Sequence, residues 1–394
     1  MIDEIKIPEE FADICPFNDS EFHANMATLV KEPLFKHAVT YALPDIDYDN
    51  FINQLLSINT KDDFQKVIMK PFLEMLVQKT TDGLTWNGVS NFEKDKYYTC
   101  ISNHRDIVLD ASFLNLCLLY TDVPTTEIAI GNNLLIFDWI SVLVRLNKSF
   151  IVKRDLTNRQ FLEAAQQLSN YIHFAINEKH QSVWIAQRQG RAKDSNDRTQ
   201  ESLIKMLAIG GKEKSIIERL KEINLMPVSI SYEYDPNDYL KATEFLMKKK
   251  DPDFKKSQRD DLFSMETGLL KYKGRVHFEF TKCINPLLDE LPDDLERAEA
   301  TSVIANIIDK QIHLAYHLYP CNYIAYDMLY KKAEFTHKYM EEDKAHYMQY
   351  VENQLSKVEV EYNEEDKEFM REMIYTMYSN PVLNQLKALG VHDS

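Results

Sequence analysis

The segment TCISNHRDIVLDASFL (residues 99–114) decides how the rest of the chain is read. With the two tyrosines before it, its apolar run KYYTCIS is the length of a buried strand and stops at Ser102-Asn103-His104. Beyond it, RDIVLDASFLNLCLLY carries apolar residues at helical spacing up to Tyr120. A histidine therefore stands where a strand ends and a helix is about to begin, with Asp106 and Asp110 just past it.

The same alternation continues downstream. TEIAIG is a predicted strand, IFDWISVLVRLN a helix, SFIVKR a strand and NRQFLEAAQQLSNYIHFAINEK a long amphipathic helix. SVWIAQ, LMPVSISYEY and GRVHFEF are further strands. Strand–helix–strand order predicts an α/β fold with a mixed, largely parallel sheet flanked by helices. Residues 1–95 space their apolar positions by three and four and read as a helical N-terminal domain, with TTDGLTWNGVSNF as a linker or hairpin after its helices. Residues 96–290 form the α/β domain, and 291–394 a helical C-terminal segment.

Composition narrows the classes. Only 9 glycines in 394 residues argue against Gly-rich phosphate loops and for many helices. A net charge of −16 excludes a general nucleic-acid binder, because neutralising phosphates needs a basic field. Basic residues are nevertheless prominent from Arg145 to Arg198, which is where an anionic ligand would sit. The five cysteines are scattered, without a C-x-x-C pair, and read as reduced core residues of a cytoplasmic protein. The acidic start lacks the apolar core of a secretory signal, and NLLIFDWISVLVRLN is interrupted by charge and too short to cross a bilayer.

In an open α/β sheet the ligand binds beyond the carboxyl ends of the strands. Asn103-His104-Arg105-Asp106 follows one strand, and Lys153-Arg154 the next such end. Another is followed by Gln187-Arg188-Gln189-Gly190-Arg191 with Lys193, while LMPVSISYEY contains Pro227 and closes near Glu233. A histidine here acts as a general base if a carboxylate holds its second ring nitrogen. The cations at neighbouring strand ends would hold an anionic substrate and favour a developing oxyanion. With no Ser or Cys nucleophile in evidence, this set points to direct transfer onto a bound hydroxyl.

SNHRDIVLDASFL, SFIVKR, VWIAQRQGRAKDSNDRTQ and LMPVSISYEY together resemble the four ordered blocks of the glycerolipid acyltransferases that use a His-Asp pair, in particular the glycerol-3-phosphate and 1-acylglycerol-3-phosphate types. KGRVHFEFTKCINP resembles the strand that follows the fourth block, so the likeness spans about residues 96–288. It implies transfer of a fatty acyl group from acyl-CoA or acyl carrier protein to a hydroxyl of glycerol 3-phosphate or a lysophospholipid, in phospholipid biosynthesis. His104 would be the base and Asp110 its orienting acid, while Arg105, Lys153, Arg154, Arg188, Arg191 and Lys193 would bind substrate. Neither a metal nor a cofactor is implied. A peripheral contact with the inner membrane surface is expected. Alternatives are a non-catalytic lipid- or acyl-carrier-binding protein of the same fold, and an acyltransferase for an aminolipid.

Two departures from the family pattern stand out. The family spacing is His-x4-Asp, whereas Leu109 occupies that position here and the acid comes one residue later. At about 100° per residue neither spacing stacks the pair on one helix face, so His104 must lie in the loop before the helix. Asp106 is a rival partner, or the cap of that helix. Arg188 stands where many members carry Glu. His313 and His317 are four apart on a predicted helix but lack the intervening Glu of a zinc-protease motif, and read as packing. Asp197 or Asn196 is expected to cap the helix TQESLIKML.

Overall fold

In the computed structural model, residues 5–154, 156–210, 214–292 and 294–391 are described. Seven strands form one sheet: β1 (Leu84–Asn87), β2 (Thr99–Ser102), β3 (Glu127–Gly131), β4 (Ser149–Val152), β5 (Val183–Ala186), β6 (Leu225–Tyr232) and β7 (Val276–Phe280). Their order is β1-β7-β6-β2-β5-β3-β4. Every neighbouring pair is parallel except β6–β7. The fold is α/β, with a mixed, largely parallel sheet and helices on both faces.

Alternation of side chains along the strands explains the layers. Ile101, Val183, Ile185 and Leu225 point to one face, where the helices Asn158–Asn177 and Arg297–Leu314 cover them. Cys100, Trp184, Met226 and Val228 point to the other, against the helices Leu109–Tyr120 and Lys70–Thr80. Because β2 to β6 run the same way, the chain leaves all five at one edge. His104, Arg154, Arg188 and Glu233 gather there.

Three expectations about local structure are corrected. Residues 84–87, read as linker or hairpin, form β1, which pairs with β7 in the register Leu84↔Val276. The helix after His104 begins at Leu109 rather than at Arg105, because Asp110 binds the backbone amides of Arg105 and Asp106, and Asp106 those of Val108 and Leu109, which holds that stretch as a loop. The helix carrying His313 ends at Leu314, so His317 lies beyond it, and Pro320 opens a separate helix, Pro320–Tyr330. Pro at a first helical turn is preorganised there but ends what precedes it. All five cysteines are unpaired, with four buried and Cys283 half-buried. No described helix is long and apolar enough to cross a membrane.

Candidate active site

The site begins with the way β2 stops. The side chain of Asn103 takes over from the strand ladder: its Nδ2 donates to Ile230 O (2.9 Å) and its Oδ1 accepts from Ile230 N (2.8 Å). That bracket fixes the chain direction at the strand end, so His104 leaves the sheet in a set direction. Its ring meets the edge of Trp184 with centroids 5.9 Å apart, and Trp184 Nε1 donates to Ser102 Oγ at 3.0 Å.

His104 Nδ1 lies 2.8 Å from Asp110 Oδ2. The same oxygen accepts from the amides of Arg105 (2.6 Å) and Asp106 (3.1 Å). Asp110 is fully buried, so these donors are what hold its charge in place of water. The extra residue in the spacing from His104 to Asp110 is absorbed in the loop, since the acid sits in the first turn of the helix and the histidine lies five residues before its first residue, Leu109. Asp106 does not partner the ring. Its Oδ1 accepts from Val108 N (2.9 Å) and Leu109 N (2.8 Å), a cap on the helix entry. Burial, and secondarily the Asp110 charge, raise its pKa. With the Nδ1 proton donated to Asp110, Nε2 keeps a lone pair for accepting a proton.

His104 lines a cavity of about 570 Å³. Its walls are largely aliphatic and aromatic, among them Ile130, Leu134, Val144, Leu168 and Met206, and Lys153, Arg154 and Arg188 also line it. Lys153 reaches Asp13 (2.5 Å) and Gln167 (2.9 Å). Arg154 lies close over Gly131: a Cβ on that residue would stand 2.8 Å from Arg154 Nε. Absence of a side chain there lets the guanidinium cross the end of β3.

The other three cations do not line this cavity. Arg105 is buried and turned away, its Nη2 2.7 Å from Asp197 Oδ2, with its guanidinium over the ring of Tyr316. Lys193 pairs with Glu244. Burial, then Lys248 and Lys256, lower its pKa to about 7. Arg191 stands near Lys193 and Asp106, close enough to influence both titrations. Its Nη1 is buried without a hydrogen-bond partner.

Asp197 is the residue that sequence reasoning misplaced. The helix Glu201–Leu207 has Gln200 before it and no side-chain cap. Asp197 is instead fully buried, receiving Arg105, the Tyr316 hydroxyl (2.5 Å) and, on its carbonyl, His313 Nε2 (2.9 Å). Burial is the main cause lowering the His313 pKa to about 4, so the ring is neutral near neutral pH. Glu244, Lys248 and Lys256 were not anticipated either, because they belong to a segment without a motif. Among the described residues no group of three or more His, Cys, Asp or Glu is arranged to hold a metal ion.

Gly268 sits against this loop from outside. A Cβ there would approach Asp106 Oδ2 to 1.9 Å. Gly268→Ala is therefore expected to displace the Asp106 cap and destabilise the fold by about 1–3 kcal/mol, the usual range for overpacking. Denaturant unfolding checks this; an unchanged or higher midpoint would contradict the close approach.

No protein-family model matches this chain, and no curated protein matches it. Among solved structures, it is similar to "Crystal Structure of the 1-acyl-sn-glycerophosphate (LPA) acyltransferase, PlsC, from Thermotoga maritima". That similarity covers 75% of this chain and 93% of the other, at 10% identity and a TM-score of 0.36.

Proposed function

We propose that this protein is an O-acyltransferase. It would move a fatty acyl group from acyl-CoA or acyl carrier protein to a hydroxyl of glycerol 3-phosphate or a lysophospholipid. The observation that carries the proposal is a histidine held by a buried carboxylate at the rim of an apolar cavity, with cations in the same wall. An alkyl chain needs the apolar walls, a base needs the dyad, and an anionic headgroup needs the cations.

In this reading the acyl chain lies among Ile130, Leu134, Val144 and Leu168, with its thioester carbonyl toward His104. His104 Nε2 takes the proton of the acceptor hydroxyl as that oxygen attacks the thioester carbon. The imidazolium formed is stabilised by Asp110. Arg188 and Arg154 supply positive potential for the oxyanion and the acceptor's negative charge. Collapse of the tetrahedral intermediate breaks the C–S bond, and the leaving thiolate takes the proton back from His104. The products are an ester and a free thiol, and His104 ends as it began.

The test is release of thiol from acyl-CoA, followed with and without glycerol 3-phosphate or lysophosphatidate, with the ester product identified by mass spectrometry. Acceptor-dependent release is expected. Release of free fatty acid at the same rate without an acceptor would instead define a thioester hydrolase, and no release with any acceptor would leave a binding protein.

A further inference from the structure

The chain is strongly acidic overall, yet residues 248–259 hold six basic and two acidic residues. Lys249 lies over the Phe369 ring (4.3 Å) and Lys250 pairs with Asp366 (2.6 Å), so these two tie the segment to the C-terminal helices. The others face a different way. Lys248 and Lys256 reach Glu244 at 2.9 and 3.3 Å, on the same carboxylate that Lys193 contacts. Lys248 and Lys256, with the partly charged Lys193 beside them, outnumber that one carboxylate and leave a net positive site. Lys255 and Arg259 are exposed beside it.

The helix Gln258–Leu270 begins at the end of this segment. Its Leu262 and Phe263 are 40% and 48% exposed, while Met265, one turn on from Leu262, lines the His104 cavity. The helix Pro33–Ala42 joins the same surface through Tyr41, whose hydroxyl donates to Glu266 at 2.6 Å. Leu34 and Tyr41, seven apart and so on one helix face, are 47% and 61% exposed. Large exposed apolar side chains flanked by cations are the composition of a face that lies in a bilayer interface.

We propose that this surface, built from Leu262, Phe263, Leu34 and Tyr41 with Lys255 and Arg259, docks the protein onto an anionic lipid bilayer. The apolar side chains enter the interface and the cations meet the headgroups, while the acidic remainder of the molecule is repelled and stays in water. Asp260 and Asp261 lie at the edge of the patch; Asp260 is turned to the amide of Ser257 as part of the helix cap (2.8 Å). Met265 places the apolar cavity next to the docked face, so a lipid-borne chain would reach His104 without crossing water. That link to catalysis rests on the acyl-transfer reading; the docking itself does not.

The experiment is sedimentation of the full chain with vesicles of phosphatidylcholine alone and of phosphatidylcholine with phosphatidylglycerol. Binding is expected to the anionic vesicles and to weaken with salt. K255Q/R259Q is expected to weaken it about 25-fold, since each cation near the surface is worth roughly fivefold. L262S/F263S is expected to weaken it by on the order of tenfold or more. All four positions are exposed, so the variants should fold, and unchanged thermal melts verify that. H104A should bind vesicles like the wild type. Unchanged vesicle binding in both double variants overturns the proposal. So does binding of an acidic carrier protein through Lys255 and Arg259 without vesicle binding. If docking fails while acceptor-dependent thiol release from soluble substrates persists, the inference falls and the catalytic reading stands; docking without thiol release gives the reverse.

Discussion

His104→Ala is expected to lower acceptor-dependent thiol release by about 10²–10⁴-fold, the usual contribution of a positioned general base. The side chain touches Asp110 and the edge of Trp184 and otherwise faces the cavity, so its loss should leave the fold intact. Asp110→Asn is expected to fall by a similar factor for a different reason. His104 Nδ1 and the amides of Arg105 and Asp106 all converge on Asp110 Oδ2, so an Asn carbonyl oxygen there would keep the three contacts but bring no negative charge. The base would then be oriented, but the imidazolium formed as it takes the proton would have lost its counter-charge. Both variants should keep the affinity for acyl donor while kcat collapses, because neither the apolar walls nor the cations change. Measurement of kcat and KM separately makes the distinction. Undiminished thiol release by the alanine variant would remove His104 from the chemistry altogether.

How much of this was visible beforehand follows from what is local. The dyad was legible because both members belong to one strand–loop–helix unit, and the ambiguity between Asp106 and Asp110 was only about which carboxylate the loop would aim. The parallel strands were legible because each apolar run was followed by a helical one. β1 was not: three residues between Asp-Gly and Asn-Gly carry too little pattern, and what makes Leu84–Asn87 a strand is a partner, β7, almost two hundred residues away. Nothing in GRVHFEF announces that β7 runs against β6 either, since alternation is the same in both directions. The cations divide the same way. Six were grouped by position at strand ends, yet distant acids decide which face the cavity. Asp197 draws Arg105 inward across 92 positions, and Glu244 draws Lys193 aside across 51. Charge in a sequence shows that a partner is needed, without saying which.

Arg105→Ala is expected to destabilise the fold by about 3–5 kcal/mol, as breaking one side of a buried ion pair does. Arg105 is 7% exposed and Asp197 fully buried, so removing the guanidinium strands a carboxylate whose remaining donors are the Tyr316 hydroxyl and a long contact from Asn103 (3.5 Å). The same pair joins three parts of the chain: the loop that carries His104, the loop that carries Arg191 and Lys193, and the end of the helix Arg297–Leu314, reached through His313 and Tyr316. Replacing both partners by apolar residues, R105M/D197L, should therefore recover much of the loss in a double-mutant cycle, because no buried charge is left unpaired. Denaturant midpoints for the two single variants and the double variant read this directly. The cycle also separates two roles for Arg105. A positioning residue lost from a buried pair lowers the unfolding midpoint and leaves the acceptor KM of the surviving folded enzyme within a few-fold. A substrate ligand raises that KM by ten-fold or more with little change in midpoint, and that outcome would mean that the pair with Asp197 opens when substrate binds.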